Sequence, residues 1–377
     1  MNPDLTRNAA TGVLSLEAYS PGMPIEELQR RLGVADAIKL ASNENPLGLS
    51  PRVRAALAEC VARTDLALYP DGGGFRLKKK LAEMHGVDAS CITLGNGSND
   101  IIELLGRVFL GPDRAALYSA HAFAVYEIIT QAQCARAVEV PARPASDAQP
   151  YGHDLSAFAR ELKANPDVAL VFIANPNNPT GTWLPAADIE AFLAQVPPQV
   201  IVALDEAYWE YMEPALRGDV RAWLDRYPNL VVFRTFSKAY GLAGLRVGYS
   251  LSSPELADLL NRVRQPFNNN SLALLAAEIA LEDQAYVRES VELNTRERAR
   301  LTQELQGLGL TVLPSQANFL AIGFGREAKP IHQGLLEQGV IVRPIASYGL
   351  PSFLRVSVGT EAQNDRFLRA LRTVLQK

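Results

Sequence analysis

The chain carries only three cysteines in 377 residues, Cys60, Cys91 and Cys134. Their number is odd, their spacing wide, and no CxxC or Cys/His cluster occurs. This excludes a disulfide framework and points to reduced, mostly buried thiols. The four histidines, His85, His121, His153 and His332, lack metal-ligand spacing, so no metal site is expected. No apolar run is long enough to span a bilayer, and no charged-then-apolar leader opens the sequence. A cationic excess is missing too: the formal net charge is −4, which gives no reason to expect nucleic acid or an anionic membrane as partner. Repeats and low-complexity segments are absent. A cytoplasmic setting is the expectation left by elimination.

What remains is an ordinary globular composition with ample apolar residues for a core. The first forty-odd residues are rich in loop formers, with a short helix expected over 25–32 and another over 51–63. From residue 91 the chain alternates strand and helix. Residues 91–94 and 115–118 read as short strands. Residues 168–174, 200–204 and 230–233 are near-continuous apolar runs, as in strands buried on both faces. Helical patterns between them argue an α/β fold with a mostly parallel sheet flanked by helices. After about residue 270 the texture changes to two long helices, over 271–282 and 286–305, and then short strands over 319–323 and 353–358 around a helix near 331–338. This predicts a smaller α+β domain. The expected division is residues 1–48 as a segment packing with the small domain, 49–270 as the large domain and 271–377 as the small one.

Chemistry-bearing residues fall just after the expected strands, where ligands of parallel sheets collect. The run Thr235-Phe236-Ser237-Lys238-Ala239-Tyr240-Gly241-Leu242-Ala243-Gly244-Leu245-Arg246 follows the strand over 230–233. An amine at a strand end can form an imine with an aldehyde, and hydroxyls with a guanidinium can hold a phosphate. Pyridoxal 5′-phosphate (PLP) is an aldehyde that carries a phosphate. A surface lysine in a βα loop is the bland alternative. Asp205-Glu206-Ala207-Tyr208 ends another strand. A buried carboxylate needs a partner, and a protonated pyridine nitrogen is one; a helix cap is the other reading of Asp205. The loop Asn175-Pro176-Asn177-Asn178-Pro179-Thr180-Gly181 is made rigid by two X-Pro steps and could present a side-chain amide to a bound ring, or be a plain turn. Gly95-Asn96-Gly97-Ser98 precedes a helix whose N-terminus suits a phosphate, although the full dinucleotide fingerprint is absent and Ser98 could simply cap the helix. Arg355 interrupts an otherwise apolar strand and requires a buried anion, an internal salt bridge or an opening to solvent. Arg343 lies nearby in sequence. Tyr69, in Tyr69-Pro70-Asp71-Gly72, reads by itself as a turn residue.

These motifs, in this order and spacing, resemble the fold-type I PLP-dependent aminotransferases. With Lys39-Leu40-Ala41-Ser42-Asn43-Glu44-Asn45-Pro46-Leu47-Gly48 added, the whole chain resembles the histidinol-phosphate aminotransferases among them. The resemblance implies transamination between L-histidinol phosphate and 2-oxoglutarate. Lys238 would be the Schiff-base lysine, Asp205 the partner of the pyridine nitrogen, and Tyr208 and Asn178 the partners of the ring oxygen. Gly97, Ser98, Thr235, Ser237 and Arg246 would hold the phosphate. Phe123 stands where the family stacks an aromatic ring, often a tyrosine, so no phenol is available there. Tyr69 would reach the phosphate of a neighbouring subunit, which implies a homodimer with shared active sites. Arg355 would bind the anionic end of the substrate, helped by Arg343, Tyr19 and the loop residue Asn43. An aromatic amino-acid aminotransferase, a PLP decarboxylase of a phosphorylated amino acid and an effector-sensing domain of a transcription regulator stay open as rivals.

Overall fold

The structure is a computed structural model and describes residues 5–18, 22–34, 36–63 and 66–376. Its centre is a seven-stranded sheet. In chain order the strands are β1 (Ile92–Gly95), β2 (Ala115–Ser119), β3 (Arg136–Val140), β4 (Val168–Ala174), β5 (Ile201–Asp205), β6 (Leu230–Thr235) and β7 (Gly248–Ser252). They lie side by side as β1-β7-β6-β5-β4-β2-β3. All neighbours run parallel except β7, which is antiparallel to both β1 and β6.

The apolar runs explain the layers. Alternate side chains of a strand point to opposite faces. Val202, Leu204, Leu230 and Val232 join Phe158, Phe192 and Trp223 on one face. Ile201, Ala203, Val231 and Phe233 join Ile101, Leu105, Tyr126 and Leu260 on the other. Both faces are therefore covered by helices, and the β-branched runs have no solvent side. Phe233 is fully buried, so truncating it to alanine should cost about 3–5 kcal/mol.

The sequence did not predict β3 and β7. β3 is an edge strand with three of its five residues exposed, and β7 is rich in glycine and serine, which carry little strand signal. The helix after β1 begins at Ser98, with Gly97 at the cap position and no side-chain cap bond; Ser98 is thus not the N-cap that one reading made it.

The second unit has a four-stranded antiparallel sheet of β8 (Thr311–Val312), β9 (Phe319–Gly323), β10 (Arg343–Pro344) and β11 (Phe353–Ser357), ordered β10-β11-β9-β8. Helices Lys329–Glu337 and Glu361–Leu375 cover it, and Phe367 and Leu371 are fully buried there. Ile38–Lys39 pairs in parallel with Val340–Ile341, and Leu40 enters the same core. Helix Ser271–Glu282 instead packs its alanines with Val53, Leu77 and Leu81 in a core of the large sheet. We propose that the larger unit's packing runs on to about residue 282, with the 271–377 boundary adjusted accordingly; limited proteolysis around residue 283 would test it. Among the described residues no helix is long and apolar enough to cross a membrane, and no group of three or more His, Cys, Asp or Glu could hold a metal ion.

Candidate active site

A cavity of about 450 Å³ opens at the carboxyl ends of β4, β5 and β6. Strand ends are where backbone pairing stops and side chains become available to a ligand. Of the residues singled out above, Lys238, Asp205, Tyr208, Asn178, Ser98, Phe123, Thr235, Ser237, Arg246, Asn43, Arg343 and Arg355 all line it. Tyr69 does not. It is 81% exposed and stacks on Phe267 at 4.5 Å between ring centroids. Tyr19 lies outside the described residues.

Asp205 closes β5. Tyr126 Oη donates to its Oδ2 at 2.7 Å and the Ala207 amide donates to its Oδ1 at 3.0 Å. Burial pushes its carboxyl up to about 6 despite those two donors; the charge of Glu206 adds to the rise and that of Lys238 opposes it. Lys238 lies three residues beyond β6, half-buried, with Nζ donating to the Ser42 carbonyl at 3.2 Å. Burial lowers its amine to about 8, and the guanidinium of Arg355 pushes the same way. The cavity thus holds an amine that is partly neutral near pH 8 and a carboxylate short of a cation. Tyr208 accepts from Asn43 Nδ2 at 3.0 Å, and burial raises its phenol to about 12, so it stays protonated. Asn43 sits at φ +56°, a left-handed conformation asparagine tolerates, and its own Oδ1 accepts from Ser357 Oγ at 3.1 Å.

A second cluster gathers anion donors. Thr235 Oγ1 donates to Ser237 Oγ at 3.0 Å, and Arg246 Nη1 donates to Ser237 Oγ at 3.2 Å. The N-terminal turn of helix Ser98–Phe109 stands beside them, adding partial positive charge. Gly97 has φ +81°, and a Cβ there would come within 2.3 Å of Arg246 Nη2. Only glycine allows the guanidinium that close to the turn. Opposite, Arg355 donates to Asn178 Oδ1 at 2.5 Å and to the Ala41 carbonyl at 2.7 Å. With its carbonyl oxygen so engaged, Asn178 has its NH₂ donor to offer a ligand. Sequence patterns missed Tyr126. It lies in the first turn of helix Val125–Ala132, three residues after Phe123, and that short spacing is the one signal that could have linked the two.

The donor set fits PLP: hydroxyls, a guanidinium and a helix N-terminus for a phosphate, an acid for a ring nitrogen, an amine for an aldehyde. Residues 35–371 match the family of class I and II aminotransferases. The chain belongs to that family. Among aminotransferases of known name, it is 54% identical to histidinol-phosphate aminotransferase 2 of Pseudomonas aeruginosa over 99% of each chain. Among solved structures, it is similar to the histidinol-phosphate aminotransferase of Sinorhizobium meliloti in complex with pyridoxal 5′-phosphate, with a TM-score of 0.89, 29% identity and 98% of both chains covered. The L-threonine-O-3-phosphate decarboxylase of Porphyromonas gingivalis has a TM-score of 0.77 at 24% identity, over 90% of this chain and all of the other. At that distance it shares the fold alone, so the fold by itself does not separate transfer from decarboxylation. The aminotransferase family has the α/β, fold-type I architecture found here, with a small α+β unit beside the large sheet.

Proposed function

We propose that this chain transfers the amino group of L-histidinol phosphate to 2-oxoglutarate, giving imidazole acetol phosphate and L-glutamate in histidine biosynthesis. Pyridoxal 5′-phosphate is its cofactor. The observation that carries the cofactor chemistry is the meeting of Lys238, Asp205 and the Ser98–Ser237–Arg246 anion cluster in one cavity. The substrate rests on the 54% identity to a histidinol-phosphate aminotransferase along nearly the whole chain.

Bound PLP supplies an electrophilic carbonyl carbon and an electron sink for a carbanion. The protein's own groups do the rest. Asp205 holds a proton on the ring nitrogen by pairing with it. Tyr208 and Asn178 would hold the ring oxygen, and Phe123 would cover a ring face. Gly97, Ser98, Thr235, Ser237 and Arg246 bind the phosphate. Lys238 would take the proton from the substrate Cα, since an amine lowered to about 8 is a competent base near neutral pH. Arg355, with Arg343 and Asn43 near it, takes the anionic end of either substrate, since a planar guanidinium fits a carboxylate or a phosphate equally well. Tyr69, exposed and backed by Phe267, suits a contact with a second copy. A homodimer in the cytoplasm, with shared active sites, follows as part of this proposal, and sedimentation at a monomer's mass would refute it.

The deciding experiment compares kcat/KM for histidinol phosphate, phenylalanine and tyrosine with 2-oxoglutarate as acceptor. Histidinol phosphate should lead. Equal or better use of phenylalanine would make the enzyme an aromatic aminotransferase. Release of CO2 from a phosphorylated amino acid without an acceptor would make it a decarboxylase.

A further inference from the structure

Tyr126 is a buried phenol that the reaction above does not use. It sits on helix Val125–Ala132 and is fully buried, yet its ring borders the active-site cavity. The ring stacks on Phe172 of β4, with centroids 4.6 Å apart and planes 4° from parallel. Phe123 meets its edge at 5.9 Å. Its hydroxyl therefore has little freedom, and it points at one acceptor, Asp205 Oδ2, at 2.7 Å. We propose that Tyr126 is a positioning residue that fixes the Asp205 carboxylate, in place and in charge, for a protonated ring nitrogen. This rests on the PLP reading of the site.

The groups that face Asp205 define what the phenol contributes. From its own turn come the Ala207 amide, which donates to it, and the charge of Glu206, which favours its protonation. From the loop after β6 comes Lys238, which favours its ionised form. The charge of Asp205 in turn favours the protonated phenol of Tyr208, which stays neutral. Tyr126 is the one side chain that donates to Asp205 among the described residues. Burial and the neighbouring carboxylate hold the phenol well above its ordinary pKa, so it remains a donor throughout the working range. A hydrogen bond to a charged acceptor in such surroundings is stronger than one between neutral groups. Removing it leaves Asp205 with the Ala207 amide only, so its proton affinity rises further. Protonated Asp205 cannot pair with a pyridinium.

The test measures PLP binding by the apoprotein, not turnover. Tyr126→Phe keeps the stacked ring and deletes the hydroxyl. Its affinity for PLP at pH 7.5 should fall about tenfold or more, and the pH below which affinity is lost should move upward. In an Asp205→Asn background the same change should alter affinity less than about twofold, because no carboxylate is left to hold. Tyr126→Met, which fills the pocket without a hydroxyl, is the second variant and should behave alike. Unchanged affinity and midpoint in the variants overturn the proposal, as does an equal loss in both backgrounds. Failure of the wild-type apoprotein to bind PLP would instead overturn the PLP reading itself.

Discussion

Asp205 and Glu206 are consecutive carboxylates at one strand end, and the two faces of the sheet treat them differently. On the face that carries Tyr126, Asp205 is met by two neutral donors, a phenol and an amide. On the other face, Glu206 meets Arg234 at 2.8 Å, each side chain 3% exposed, and the Trp209 ring lies 3.7 Å from Arg234 and 4.4 Å from Arg217. The rear carboxylate has its counter-charge within the chain. The front one is given orientation without a full counter-charge, and its proton affinity rises to about 6. A site for a cationic ring is made by what is withheld on one face and supplied on the other.

The contrast is testable in order of size. The largest effect belongs to the front: Lys238→Ala should lower turnover by about four orders of magnitude or more while the protein still folds, since the base and the covalent anchor are lost together. Normal turnover, or borohydride fixation of PLP at another residue, would place the chemistry elsewhere. Next comes the rear. Arg234→Met leaves Glu206 buried and unpaired and should cost about 3–5 kcal/mol of stability by denaturant titration. The Glu206→Met/Arg234→Met pair should recover much of that. A stable Arg234→Met protein that loses only PLP affinity would break the distinction between a structural rear and a chemical front.

The smallest effect has the opposite sign. The folded pKa of Asp205, about 6, lies above its ordinary 3.8, so protonation favours the folded apoprotein. Its burial is therefore a destabilising contribution that is fully present above about pH 6 and vanishes below about pH 4. Asp205→Asn should raise apoprotein stability by about 1–3 kcal/mol at pH 8 and change it little at pH 4, while weakening PLP binding. Loss of apoprotein stability at pH 8 would mean that the carboxylate was satisfied without a cofactor.

Sequence reading went furthest where a functional side chain follows its strand within a few residues. Lys238, Asp205 and Asn178 sit in contiguous motifs, and the apolar runs before them mark strands by pattern alone. The Glu206–Arg234 pair spans 28 residues and depends on which two strands lie side by side, which no local pattern states. Tyr126 meets Asp205 across 79 residues for the same reason. Arg355 was legible as an anomaly in an apolar strand, but its partners, Asn178 and the Ala41 carbonyl, come from the large sheet's loop and the N-terminal segment. β7 escaped notice because glycine and serine there serve close packing: a Cβ on Gly248 would come within 2.5 Å of the Ser98 amide.

That reversed strand bears on how the chain tolerates change in length. Gly248 is the register partner of both Gly95 and Thr235, so two strand ends and one strand start share a corner. The segment between Thr235 and Gly248 leaves this corner and returns to it, carrying Lys238 outward and Arg246 back. It works as a tape of fixed length pinned at both ends. A residue inserted or deleted within it must move the amine, the guanidinium or the register of β7. At the other end of β7 a single residue, Ser253, caps helix Pro254–Val263 and carries no group of the cavity. Natural or engineered length variation should therefore leave residues 235–248 constant in number.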